Sequence, residues 1–177
     1  RQIHSHNSYD AGGFLPGGPF LKAGLLDQAN SGVRSFEFDI HKEQDAGIGL
    51  NDYPNSDWGI YHYVGIGSGG NHVGMLSEAL RKLKRWHSRH PNHSVIAVWL
   101  QVAGLPGEDG WETGGHKPVD LDNNRLAADM GNLLYTPLDL KRNSPDNLSL
   151  QTVIHRRGWP TLGDLRGKFI IVLHGDD

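Results

Sequence analysis

Hydrophobic and polar positions change period several times along the chain, and each change marks a switch between strand and helix. Residues 33–40 alternate with period two. Val33, Ser35, Glu37 and Asp39 share one face, and Arg34, Phe36, Phe38 and Ile40 share the other. Residues 75–90 follow the helical period instead. Leu76, Ala79, Leu80, Leu83 and Trp86 make an apolar stripe, Arg81, Lys82, Lys84 and Arg85 face water, and Pro91 stops the helix. Residues 94–102 are apolar almost throughout, the pattern of a strand buried on both faces of a parallel sheet.

Weaker segments complete the series. A short strand at residues 2–4 runs into Ser5-His6-Asn7-Ser8-Tyr9. A Gly/Pro-rich loop and an amphipathic stretch at 19–29 follow, the latter ended by Gly32. Residues 58–64 read as a third strand, 121–134 and 148–156 as helices, and 168–173 as a fifth strand. Strand–helix alternation of this kind predicts a parallel α/β fold. Gly65, Gly67 and Gly70 spell a dinucleotide-type glycine pattern, but residues 71–74 intervene before any helix, so the match is coincidental.

Composition narrows the field. The 177 residues are 37% hydrophobic and 21% charged, enough for one domain with a real core. A net charge of −3 without a basic block argues against nucleic acid as a partner. No apolar run approaches the roughly 18 residues of a membrane span. Cysteine is absent, which removes disulfides and thiolate chemistry. The chain opens at Arg1 without Met, compatible with a cleaved signal peptide or with a simple boundary. Glycine (24 residues) signals many loops, and the 11 histidines exceed what structural roles usually require.

Candidate chemistry clusters near strand ends. Glu37 and Asp39 point the same way, about 7 Å apart along their strand. Two such charges inside a core are costly unless a cation lies between them, and a hard divalent cation with oxygen ligands is the simplest remedy. A solvated edge-strand face is the plainer alternative, disfavoured by Phe36, Phe38 and Ile40 opposite. His6 can act as a base near neutral pH, with Asn7 beside it as a neutral oxygen ligand. His4 shares the face of His6 but lies deeper in its strand and reads as structural. His62 falls near the end of the third strand. In a closed parallel barrel, His6, Glu37/Asp39 and His62 would converge on the carboxyl rim, where barrel active sites lie. Two histidines flanking a cation suit phosphodiester cleavage.

These same residues carry a family resemblance. S-H-N-S-Y, G-V-R-S-F-E-F-D-I-H, I-Y-H and H-P-N-H-S-V-I-A-V-W-L-Q, in that order, resemble the phosphatidylinositol-specific phospholipase C-like phosphodiesterase superfamily. The likeness is closest to its calcium-dependent phosphoinositide branch in bacteria and fungi, and G-W-P-T-L-G-D-L-R-G-K-F-I-I-V-L extends it to the fifth strand. The resemblance implies a TIM-type (β/α) barrel, of which residues 1–177 form the N-terminal part, five strands of about eight. It implies a secreted enzyme in which His6 activates the inositol 2-hydroxyl and His62 protonates the diacylglycerol oxygen. Asn7, Glu37 and Asp39 would bind Ca2+, with Mg2+ as the alternative ion. The family's further carboxylate falls on Gln101, which offers a carbonyl oxygen but one charge fewer. Glu108, Asp109 or Glu112 in the following loop are the residues available to compensate.

The resemblance also implies a phosphoinositide or related phosphodiester as partner, with transient contact at a membrane surface. Trp58, Tyr61, Tyr63 and Trp111 would either touch lipid there or pack locally. An open five-strand sheet has raw edges, so a second chain or a further C-terminal segment is expected to complete the barrel. A glycerophosphodiester phosphodiesterase or sphingomyelinase D-like phospholipase would use the same scaffold and an E-x-D metal pair. The H-N-S-Y opening argues against the former. A barrel that binds but no longer catalyses is the rival of a different class, and Gln101 is the feature that feeds it.

Overall fold

The computed structural model describes residues 2–6, 8, 24–41, 43–44, 51–52, 57–60, 74–102, 121, 125–142 and 147–175. Asn7, Tyr61, His62, Tyr63, Glu108, Asp109, Trp111 and Glu112 lie outside them. In chain order the elements are β1 (Ile3–Ser5), α1 (Leu25–Asn30), β2 (Val33–His41), β3 (Glu43–Gln44), β4 (Asn51–Asp52), β5 (Gly59–Ile60) and α2 (Leu76–Arg89). They continue with β6 (Ile96–Val102), α3 (Ala127–Met130), α4 (Pro137–Lys141), α5 (Leu150–Arg157) and β7 (Phe169–Gly175). Among the described residues no helix is long and apolar enough to cross a membrane.

The five strands expected from the pattern all enter one sheet. Four of them, in the order β1-β2-β6-β7, run parallel. The third differs from expectation: β5 pairs antiparallel with the end of β2, Ile60 opposite Ile40 and Gly59 opposite His41. Its other side is taken by the approach to α2, where the Ile60 N–H donates to Gly74 O at 3.0 Å and the Leu76 N–H to Trp58 O at 2.8 Å. With both flanks occupied, β5 covers the end of β2 and leaves β2 free to pair directly with β6. β3 and β4 form a separate two-stranded antiparallel ribbon.

Register aligns the two faces of the sheet. Phe36 lies beside Val98, Phe38 beside Leu100 and Ile40 beside Val102, and all six are essentially inaccessible. Against this face pack Leu25 and Ala29 of α1, Leu76, Leu80 and Leu83 of α2, and Met130 of α3. Each fully buried leucine contributes roughly 1.5–3 kcal/mol by leaving water. The indole of Trp86 ties the layers together: its Nε1–H donates to Asn30 Oδ1 at 2.7 Å, and the Arg34 guanidinium lies 5.1 Å from its ring centre.

The opposite face is another matter. β6 is not buried on both sides as its composition suggests: Ile96, Val98, Leu100 and Val102 are buried, whereas Ala97 and Gln101 are half-buried and Trp99 is 38% exposed. Among the described residues helices pack on one face, so alternate residues of β6 meet different surroundings. Trp58, a candidate for lipid contact, is instead 2% exposed within the core. The helix expected at 121–134 is helical in its described residues, at Leu121 and from Arg125 through α3, and it closes in a 3-10 turn at Gly131–Leu133.

Candidate active site at the open sheet face

The less covered face carries the polar residues of β1 and β2. β1 ends at Ser5, one residue before His6, and the β2 alternation puts Ser35, Glu37 and Asp39 on one side. His6 and Glu37 come together, with Nε2 3.4 Å from Oε2. The imidazole is 70% exposed and the carboxylate only 12%, so His6 projects outward from a held anion. Asp39 is more deeply set, at 6%. Across the parallel β2–β6 pair, Glu37 is the register partner of Trp99 and Asp39 that of Gln101. Gln101 pairs in turn with His174 of β7.

One layer back along the strands is a hydrogen-bonded group. Ser35 Oγ lies 2.8 Å from His4 Nδ1 and accepts the Trp99 Nε1–H at 3.1 Å. His4 is therefore hydrogen-bonded as expected of a structural residue, but it is exposed rather than deep. An open hollow on this face is lined by His4, Ser35, Glu37 and Trp99. Sequence reasoning did not single out Ser35 or Trp99. The signal was available, because Trp99 is two residues from Gln101 on a strand and must share its face.

Of the residues expected at the site, the structure brings His6 beside Glu37 and sets Asp39 beside Gln101 in register. Asn7 and His62 fall outside the described residues. Convergence of three successive parallel strand ends does not hold as stated, since the strand that leads toward His62 is antiparallel. Among the described residues no three His, Asp or Glu side chains form a cluster able to hold a metal. Two carboxylates of low exposure and an amide oxygen on a neighbouring strand are nonetheless the donor chemistry of a hard cation. The oxygen donors that Glu37, Asp39 and Gln101 bring to this face suit such an ion.

A parallel sheet with helices packed on one face, and an imidazole–carboxylate pair on the other, has the architecture of part of a (β/α) barrel. The family described as phosphoinositide phospholipase C, Ca2+-dependent, matches residues 60–177, and the chain belongs to that family. Among solved structures it is similar to a calcium-dependent phosphoinositol-specific phospholipase C from a Gram-negative bacterium, Pseudomonas sp. Identity is 27% and the TM-score 0.67 over 97% of this chain and 55% of that one. The myoinositol complex of a Pseudomonas enzyme of the same description aligns at 27% identity and a TM-score of 0.66. A Ca2+-dependent phosphatidylinositol-specific phospholipase C from Streptomyces antibioticus shares the fold, with 20% identity and a TM-score of 0.68 over 97% of this chain and 51% of that one. These neighbours are TIM-type barrels, and the parallel sheet is part of such a barrel. The chain spans about half the length of each. No curated protein matches it.

Proposed function

We propose that this chain carries the catalytic residues of a calcium-dependent phosphodiesterase that cleaves phosphatidylinositol-type lipids. The observation that carries this reading is the His6–Glu37 pair, 3.4 Å apart on the face that also bears Asp39 and Gln101. Family membership and the likeness to calcium-dependent, phosphoinositol-specific enzymes support the substrate class.

In this reading His6 takes the proton of the inositol 2-hydroxyl as its oxygen attacks phosphorus. The bond from phosphorus to the glycerol oxygen breaks, and His62 gives a proton to that leaving oxygen. Diacylglycerol departs and a cyclic inositol phosphate remains. Asn7, Glu37, Asp39 and Gln101 would hold calcium, which supplies positive charge against the phosphate when bound. Transient contact with a lipid surface delivers the substrate. A further segment or a second chain would close the barrel around the open face, where Trp99 and His4 now meet solvent.

The test is release of water-soluble inositol phosphates from phosphatidylinositol vesicles, with glycerophosphocholine and sphingomyelin assayed in parallel. Turnover should vanish with EGTA and return with calcium. His6→Ala and His62→Ala should each lower it by roughly 10²-fold or more. Turnover of glycerophosphocholine or sphingomyelin alone would move the assignment to another phosphodiesterase. Activity that survives exhaustive chelation would remove Glu37 and Asp39 from the metal site.

A further inference from the structure

The loop that presents His6 is fastened to the strand that presents Glu37 at Ser8, through its backbone N–H and its side chain. Ser8 is fully buried, at 0% exposure. Its backbone N–H donates to Glu37 O at 2.8 Å, and its Oγ accepts the Glu37 N–H at 3.1 Å. The same hydroxyl donates its proton to the Ser5 carbonyl. A hydroxyl is both donor and acceptor, and here both capacities are used. Ser8 thus captures the amide and the carbonyl of Glu37 while closing the turn from Ser5, and His6 lies inside that turn.

β1 itself is three residues long and stops at Ser5, beside Phe36. Among the described residues, the β1–β2 ladder ends there, with Ser5 opposite Phe36 and short of His6. Ser8 adds an attachment beyond that end. The backbone beneath the Glu37 carboxylate and the backbone beneath the His6 imidazole become one fixed unit, and their side chains meet at 3.4 Å.

We propose that Ser8 is a positioning residue, setting His6 against Glu37 through its hydroxyl while touching neither substrate nor ion itself. The proposal rests on the reading of His6 as the base, and it adds a residue to which that reading gives no role. Small displacements of a reacting group are costly in rate, so Ser8→Ala should lower kcat by about tenfold or more with little change in KM. A role confined to stability would leave kcat per folded molecule intact.

Two arms test it in the full chain. In the first, NMR follows the nuclear Overhauser contact between the His6 ring and the Glu37 side chain, together with hydrogen exchange of the Glu37 amide. Ser8→Ala should weaken the contact and speed that exchange. In the second, Ser8→Thr and Ser8→Val are compared, since they add nearly the same bulk and differ in the hydroxyl. Thr should retain clearly more turnover and slower Glu37 exchange than Val. Equal behaviour of the two, or an unchanged His6–Glu37 contact in Ser8→Ala, overturns the proposal. If the wild type cleaves no phosphodiester, the reading of the function fails, and the NMR arm alone decides whether Ser8 places His6.

Discussion

Asp39 and Gln101 are register partners across the β2–β6 pair, so an amide stands beside the more deeply buried of the two carboxylates. In the calcium site proposed above, Glu37 and Asp39 would bring two carboxylates, and Asn7 and Gln101 neutral oxygens. Calcium affinity follows the number of charged ligands and the rigidity of the site. Gln101→Glu should therefore tighten calcium binding, by roughly tenfold, measured by calorimetry on the folded protein. Asp39→Asn should loosen it. An affinity indifferent to residue 101 would mean that Gln101 does not ligate the ion.

The β2 alternation was legible because its two faces differ sharply: aromatic and aliphatic residues on one, Ser35, Glu37 and Asp39 on the other. β6 was misread because Ala97 and Trp99, which face the open side, are themselves apolar. Composition does not reveal which neighbours are present to cover them. α4 escaped notice for a different reason. Five residues are too few for a helical period, although Thr136 and Asp139 already spell its capping box, with the Asp139 N–H donating to Thr136 Oγ1 at 3.2 Å. The antiparallel placement of β5 depends on Gly74, Met75 and the end of β2, contacts that no local pattern encodes. At the site, the residue types were readable while the meeting of His6 with Glu37 needed coordinates. His62 and Asn7 rest on the motif alone.

Acid should loosen the opposite end of the sheet. His93 Nδ1 lies 2.7 Å from Ser94 O and must carry a proton to bond it, which leaves Nε2 as the acceptor for His87 Nδ1–H at 3.1 Å. Protonating His93 would set two N–H groups against each other. Arg34, His90 and Lys168 are the cationic or titratable groups around the pair. Burial holds both imidazoles below the usual histidine range, helped at His87 by Lys168. At His93 the repulsion from His87, Arg34 and His90 adds to burial, and the bond to the Ser94 carbonyl opposes it. The unfolded chain, with its ordinary pKa near 6.5, binds these protons first as pH falls. The pair's contribution to stability is complete above that value and declines as pH drops toward the depressed folded values. The urea midpoint should thus fall between about pH 7 and pH 5, and His93→Gln should flatten that slope. Parallel profiles for the two proteins would show that the pair is not the cause.

Gly167 should resist substitution more than any loop position near it. Its φ is +70°, and a Cβ would be driven into the Pro91 carbonyl oxygen. Its N–H donates to His93 O at 2.8 Å, so the backbone cannot swing away without losing that bond. Gly167→Ala should destabilise the fold by roughly 2–3 kcal/mol, read from urea unfolding. Gly158 is the internal comparison. It too has a positive φ, +78°, but open space around its Cα, so Gly158→Ala should cost only the strain of its own backbone, about 1–3 kcal/mol, with no clash added.

Asp57 anchors the segment that leads toward His62. Oδ1 accepts the N–H groups of Trp58 at 2.9 Å and Ser77 at 3.2 Å, Oδ2 accepts the Ser77 hydroxyl at 2.6 Å, and the Arg125 guanidinium lies 3.5 Å away. Asp57 and Ser77 are both buried, so water offers little replacement. Asp57→Ala strips the acceptors from two amides and a hydroxyl and leaves the Arg125 guanidinium with Asp129 alone, 2.7 Å away. Unfolding free energy should fall by about 2–4 kcal/mol. Because β5 begins two residues later, at Gly59, turnover by whatever protein remains folded should fall too. Asp57→Asn keeps one acceptor oxygen and should recover part of the stability. An Asp57→Ala protein as stable as the wild type would mean that the start of β5 is held by its backbone bonds to Gly74 and Leu76 alone.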